Sequence, residues 1–124
     1  MAENTLRARI EQVDTHDLRL GKASVARITI RNAGDLPIIK VRITLTAGRD
    51  FGFPLGYQSR TVSQEFTLEI PPGESRIIEK QGDLPRKVGP ISLVGLYEVT
   101  VRVYANDVST RLDEWKGEVS LSDT

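Results

Sequence analysis

The chain has 124 residues, of which 39% are hydrophobic and 27% charged, a composition typical of one ordinary globular domain spanning residues 1–124. Seventeen Lys and Arg residues balance seventeen Asp and Glu residues, so no net field attracts nucleic acid or an anionic membrane. With no cysteine and one histidine, the sequence excludes disulfides, blue-copper sites and Cys/His zinc sites.

Apolar and polar side chains alternate along most of the chain, and this period of two predicts β-strands. The predicted strands, in chain order, are 6–10, 26–32, 39–47, 62–70, 75–80, 97–105 and 115–121. Turn residues separate them, for example at Asn32-Ala33-Gly34-Asp35 and Pro71-Pro72-Gly73. Strands with one polar face pair antiparallel. The sequence therefore predicts an all-β protein, an antiparallel immunoglobulin-like β-sandwich of about seven strands.

Segment 81–94 is too long for a simple turn. Its two prolines, Pro85 and Pro90, favour a wandering connection over an extra strand.

Three stretches carry a family resemblance: LGKASVARITIRNAGDLPIIKVRITL, LEIPPGESRII and GLYEVTVRVYAND. Together they resemble the cell-adhesion-related (CARDB-like) immunoglobulin-like domains of bacterial and archaeal surface proteins. The resemblance implies a non-enzymatic interaction or structural module, with a protein partner or a second copy of itself and no cofactor. The aromatic stretch 48–60, segment 81–94 and the C-terminal RLDEWKGEVSLSDT depart from the pattern.

Tyr97 follows Gly95-Leu96 at the start of a predicted strand. In a sandwich, such a tyrosine can turn its hydroxyl back to the preceding backbone and form a tyrosine corner. The alternative is a boundary aromatic whose hydroxyl meets water.

The stretch GRDFGFPLGYQSR concentrates three of the seven aromatic residues in a segment broken by glycine and proline. We expect neither helix nor regular strand there, and we place it as a crossover at one end of the sandwich. Its candidate binding residues are Arg49, Phe51, Phe53, Leu55, Tyr57 and Arg60. In an extended backbone, the apolar four would point the same way. They would then form an exposed patch for a partner, or they would fold back and fill the end of the core.

Basic residues occupy outward positions of two strands that are consecutive in the sequence. They are Arg27, Arg31, Lys40 and Arg42. We expect the two strands to be neighbours, so that these residues form one basic sheet face, which Arg102 and Tyr104 would extend toward base stacking. The charge balance favours a solvated strand face over nucleic-acid binding.

His16 lies between Asp14 and Asp17, in the expected connection after the first strand. An Asp-oriented histidine suits a small hydrolase or carbohydrate-active module, but no Gly-x-Ser-x-Gly elbow accompanies it. Oxygen ligands for calcium could come from loop carboxylates. These are Asp14, Asp17, Asp35, Asp50, Asp107 and Asp113, and none stands in a calcium-loop pattern, so we expect neither an enzyme nor a metal site.

Two settings remain open for this module. A signal or anchor preceding the sequence would place it at the cell surface, as the resemblance implies. A native start at Met1 would instead favour a stand-alone cytoplasmic or virus-encoded sandwich that assembles into an oligomer. No stretch approaches the roughly 20 apolar residues of a membrane helix, so we expect no membrane insertion.

Overall fold

The computed structural model describes residues 5–122, and every regular element in this range is a β-strand. The strands are β1 (Ala8–Asp17), β2 (Ala23–Asn32), β3 (Ile38–Asp50), β4 (Tyr57–Ile70), β5 (Ser75–Asp83), β6 (Lys87–Val88), β7 (Ile91–Ser92), β8 (Gly95–Ala105) and β9 (Asp113–Leu121). The predicted all-β class is confirmed. Seven long strands match the seven predicted ones. The expectation of a wandering connection at 81–94 is wrong, because this segment contains the end of β5 and the short β6–β7 hairpin.

The long strands form two antiparallel sheets. One has three strands in the order β1-β2-β5, and the other has four in the order β4-β3-β8-β9. Consecutive strands β2 and β3 therefore lie in different sheets, as do β4 and β5. This division produces the predicted sandwich and decides which side chains can share a surface.

Inward positions of the central strands make the core. Ile28 and Ile30 of β2 face Val41 of β3 and Val101 and Val103 of β8, all buried. Burying each such side chain stabilises the fold by about 1.5–3 kcal/mol. The alternation seen in the sequence thus corresponds to a core between the two sheets.

Asn32 ends β2 and is fully buried. Its side-chain amide nitrogen donates hydrogen bonds to the carbonyls of Leu36 and Ile70, both at 2.8 Å, and its side-chain oxygen accepts one from the Gly34 N–H at 3.0 Å. Since buried polar groups require partners, one asparagine joins the β2–β3 turn to the end of β4.

Strand β1 is longer than predicted. It continues past Ile10 to Asp17, with irregularities in its pairing between Ile10 and Gln12 and between Asp14 and Asp17. His16 therefore belongs to this strand, and its expected place in the following connection is wrong. The irregularities interrupt the period of two, which hid this half of the strand from sequence analysis.

Candidate interaction site at the β3–β4 hairpin

The aromatic stretch forms a hairpin within one sheet. β3 and β4 pair continuously up to Asp50 opposite Tyr57, leaving residues 51–56 as the connection. The expected irregular crossover is therefore wrong, because residues 48–50 and 57–60 are strand. Gly48 permits this arrangement: a Cβ built on it would overlap the Tyr57 side chain, which covers the glycine.

Local hydrogen bonds hold the tip of the hairpin. The Phe51 N–H donates to the Gly56 carbonyl at 2.9 Å, and the Gly56 N–H donates to the Gly52 carbonyl at 2.8 Å. The Asp50 carboxylate accepts a bond from the Gly52 N–H at 2.8 Å. Gly52 and Gly56 have φ values of +77° and +66°, a region that favours glycine. The peptide bond between Phe53 and Pro54 is cis.

Phe51 turns toward the end of the sandwich. Its ring meets Tyr97 edge-on, with ring centroids 6.4 Å apart and planes at 69°. The Arg49 guanidinium carbon lies 5.0 Å from the Phe51 centroid and 5.7 Å from that of Tyr97. Arg49 also donates a hydrogen bond to the Val94 carbonyl. These contacts give Phe51 a bracing position between the hairpin and β8.

Phe53, Leu55 and Tyr57 remain exposed, and Phe53 is 101% exposed. The Tyr57 hydroxyl lies 3.5 Å from the Glu98 carboxylate on the outer face of β8. Leu96, two residues earlier on β8, is also exposed. The four apolar residues of the stretch therefore do not point the same way: one braces the sandwich and three present apolar surface to solvent.

Tyr97 forms the predicted tyrosine corner. Its hydroxyl donates a hydrogen bond of 2.8 Å to the Leu93 carbonyl, four residues upstream. This bond fixes the connection before β8, which also provides the Val94 carbonyl bound by Arg49. The corner thus holds the surface against which the hairpin packs.

The four predicted basic residues do not share a face. Arg27 and Arg31 lie on β2, whereas Lys40 and Arg42 lie on β3 in the other sheet, so the expected continuous basic face is wrong. The pattern of alternation cannot reveal this, because consecutive strands can belong to either sheet. Arg60, predicted as part of the hairpin rim, lies exposed on β4.

Three of these four basic side chains contact acidic or aromatic neighbours, namely Arg27, Arg42 and Lys40. Arg27 bonds Asp17 at 2.6 Å and Glu79 at 3.1 Å. The Arg42 guanidinium lies 4.2 Å from the Tyr104 ring centroid.

Lys40 contacts the Asp107 carboxylate at 3.1 Å, and this hydrogen bond raises the pKa of Lys40. Arg102, which was expected to extend the basic face, bonds Glu114 at 2.8 Å instead.

Two of the candidate carboxylates, Asp14 and Asp113, accept hydrogen bonds from the backbone. Asp14 accepts hydrogen bonds from the His16 N–H at 3.0 Å and contacts its ring Nδ1 at 2.7 Å, and these bonds lower the pKa of Asp14. Asp113 accepts a bond of 2.7 Å from the Ile10 N–H, which ties β9 to β1. Within residues 5–122, no three His, Asp or Glu side chains form a group that could hold a metal ion. Nor does this range contain a helix long and apolar enough to cross a membrane.

Comparison with known proteins finds a similar fold but no matching family model. No family model and no curated protein sequence matches the chain. Among solved structures, a CARDB domain from Pyrococcus furiosus, crystallised in complex with di-metal ions, superposes with a TM-score of 0.52 at 14% identity. The alignment covers 96% of this chain and 89% of that domain.

The chain has the fold of a CARDB domain. The predicted resemblance is confirmed at the level of the fold. Two further structures align less closely. Bacteroides uniformis β-glucuronidase 2 gives a TM-score of 0.49 at 16% identity, over 93% of this chain and 13% of the enzyme. The sporulation control protein Spo0M of Bacillus subtilis gives 0.45 at 14% identity, over 98% of this chain and 50% of that protein.

Sequence reasoning missed the β8 side of the candidate site. Glu98 lies beside the Tyr57 hydroxyl, exposed Leu96 occupies the preceding outward position of β8, and the Val94 carbonyl accepts the bond from Arg49. The outward leucine in GLYEV was the available signal, since an outward strand position more often carries a polar residue.

Proposed function

We propose that this CARDB-like sandwich is a non-enzymatic interaction module that binds a protein partner through the tip of its β3–β4 hairpin. The observation that carries the proposal is Phe53, a fully exposed phenylalanine on a tip held by its own hydrogen bonds. Aromatic residues that enter a partner's pocket dominate the binding energy of many interfaces. A tip already held in place also loses little conformational entropy on binding.

The surroundings of Phe53 suit such a contact. Leu55 and Tyr57 extend the apolar surface, while Arg49, Phe51 and Tyr97 hold the hairpin from behind. Binding can therefore be removed at the tip without disturbing the brace. A surface-associated setting, which the resemblance to CARDB-like domains supports, belongs to the same proposal.

A photo-crosslinking amino acid at position 53 of the chain, expressed in its host cell, tests this function. We expect one predominant crosslinked protein, whose affinity in purified form falls at least tenfold for Phe53→Ser. The matched control is Ile77→Ser, because Ile77 is 64% exposed on β5 of the other sheet. Equal affinities of the native chain and Phe53→Ser for the captured protein would refute the proposal.

A further inference from the structure

The edge strands of the two sheets differ in how well they are protected against pairing with another chain. Among residues 5–122 the sheets have four edge strands: β1, β5, β4 and β9. Edge strands expose unpaired backbone groups, and proteins protect them with irregularities, charges, short lengths or covering elements. The edge with the fewest of these features is the one whose backbone groups are available to pair with a strand of another chain.

Three of the edges are protected. Strand β1 has two irregularities in its pairing, and its side of the sandwich is closed by contacts with β8 and β9. Strand β5 has nine residues, of which Arg76, Glu79, Lys80 and Asp83 are charged, and Lys80 lies beside the opening between the sheets. Strand β9 is tied to β1 by the hydrogen bond from Ile10 to Asp113.

Strand β4 is the longest of the four edges and most of it is free of irregularities, although it carries Arg60, Glu65 and Glu69. It has 14 residues without proline, and its pairing with β3 is regular from Thr67 back to Tyr57. Among the described strands it pairs with β3 alone, so its other edge offers unpaired backbone groups. A long, regular edge of this kind is a template for strand addition.

The inward face of β4 is also uncovered from Tyr57 to Glu65, whereas Phe66, Leu68 and Ile70 pack into the core. Val62 pairs with inward Leu45, yet it is 46% exposed, because the three-stranded sheet does not extend over this part of β4. A groove of about 170 Å³ opens between the sheets, with β4 and β5 as its two sides. Its lining is mostly apolar and includes Ile28, Ile43, Leu45, Val62, Phe66 and Ile78.

The sequence of β4 is complementary to itself across a two-fold axis. Two antiparallel copies whose inward faces lie on the same side, with Gln64 opposite Gln64, place Val62 of each copy opposite Phe66 of the other. Such apolar cross-strand pairs contribute roughly 0.2–1 kcal/mol each. No like charges are opposed in this register. Arg60 lies four residues from the axis, about 13 Å at the strand rise, at the margin of the contact.

We propose that β4 binds the β4 strand of a second copy in this register, which joins the two four-stranded sheets and covers the groove. The contact is isologous, as expected for a two-fold dimer. It does not involve the hairpin tip, so its test and that of the proposed function are separate.

A single-cysteine series tests the register directly, since the native chain contains no cysteine. Directly opposed residues of an antiparallel pair have Cα atoms roughly 4.5–5.5 Å apart, within the range that a disulfide bridges. We therefore expect Gln64→Cys to form a covalent dimer on mild oxidation. Val62→Cys is the matched control from the same strand and face. Its two copies would lie about 13 Å apart along the strands and should not crosslink.

Light scattering across a concentration series gives the second readout. We expect the native chain and Phe53→Ser to be dimers. Gln64→Glu opposes two like charges at the axis and should be a folded monomer by circular dichroism, or dissociate at much higher concentration. A monomeric native chain would overturn the proposal. So would a dimer in which Val62→Cys crosslinks and Gln64→Cys does not, or one that Phe53→Ser abolishes.

Discussion

Phe51 and Phe53 are two residues apart in the sequence, but their replacement by serine should affect stability very differently. Phe51→Ser removes an edge-on contact with Tyr97 worth about 0.5–1.5 kcal/mol and a contact with Arg49 worth about 0.5–1 kcal/mol. Loss of a half-buried ring adds about 1 kcal/mol. We therefore expect Phe51→Ser to lower the free energy of unfolding by about 2–3.5 kcal/mol. The Phe53 side chain is fully exposed, so Phe53→Ser should change the free energy of unfolding by no more than about 0.5 kcal/mol.

Urea unfolding, followed by the fluorescence of the single tryptophan, Trp115, measures both variants. Leu55→Ser is a further control on the exposed side of the hairpin. Equal losses for Phe51→Ser and Phe53→Ser would refute the division of the hairpin into a bracing and an exposed side. A destabilised Phe53→Ser would show that the tip contributes to the fold.

Three further predictions concern the framework. Tyr97→Phe leaves the Leu93 carbonyl without its hydrogen bond, so we expect the free energy of unfolding in urea to fall by about 1–2 kcal/mol. An unchanged unfolding midpoint would contradict a stabilising role for the tyrosine corner. Asn32→Ala removes three hydrogen bonds at a fully buried site, so the free energy of unfolding should fall by at least about 3 kcal/mol in the same assay. A fall of less than about 1 kcal/mol would contradict the role of Asn32 in joining the turn to β4. The hydrogen bond from Arg102 lowers the pKa of Glu114, so its stabilising contribution is present above the ordinary glutamate pKa of about 4.3 and lost as pH falls through the lower folded-state pKa. Glu114→Gln should therefore be less stable than the native chain at neutral pH and approach it in acid; a difference independent of pH would contradict this reasoning.

The alternation of side chains predicted the strands well where the strands are regular. Val41, Ile43, Val101 and Val103 are apolar positions of the alternating pattern in two predicted strands, and all four are buried. Alternation failed in β1, because its irregularities change which face successive residues occupy. The Asn32 turn was also recognisable, since its residue types suit a tight turn.

The candidate site was only partly predictable. The sequence identified the aromatic stretch, but not that it continues two strands of one sheet. The pairing of these strands brings Tyr57 over Gly48, a cross-strand contact that the local pattern does not reveal. Likewise, the separation of Arg27 from Lys40 depends on which sheet each strand joins, and the local pattern is the same in either case.

The most direct test of the proposed function is a binding titration of the protein captured at position 53 against the native chain, Phe53→Ser and Ile77→Ser. We predict at least a tenfold loss of affinity for Phe53→Ser, native affinity for Ile77→Ser, and native stability for both. If Phe53→Ser binds as tightly as the native chain, the hairpin tip is not the binding surface.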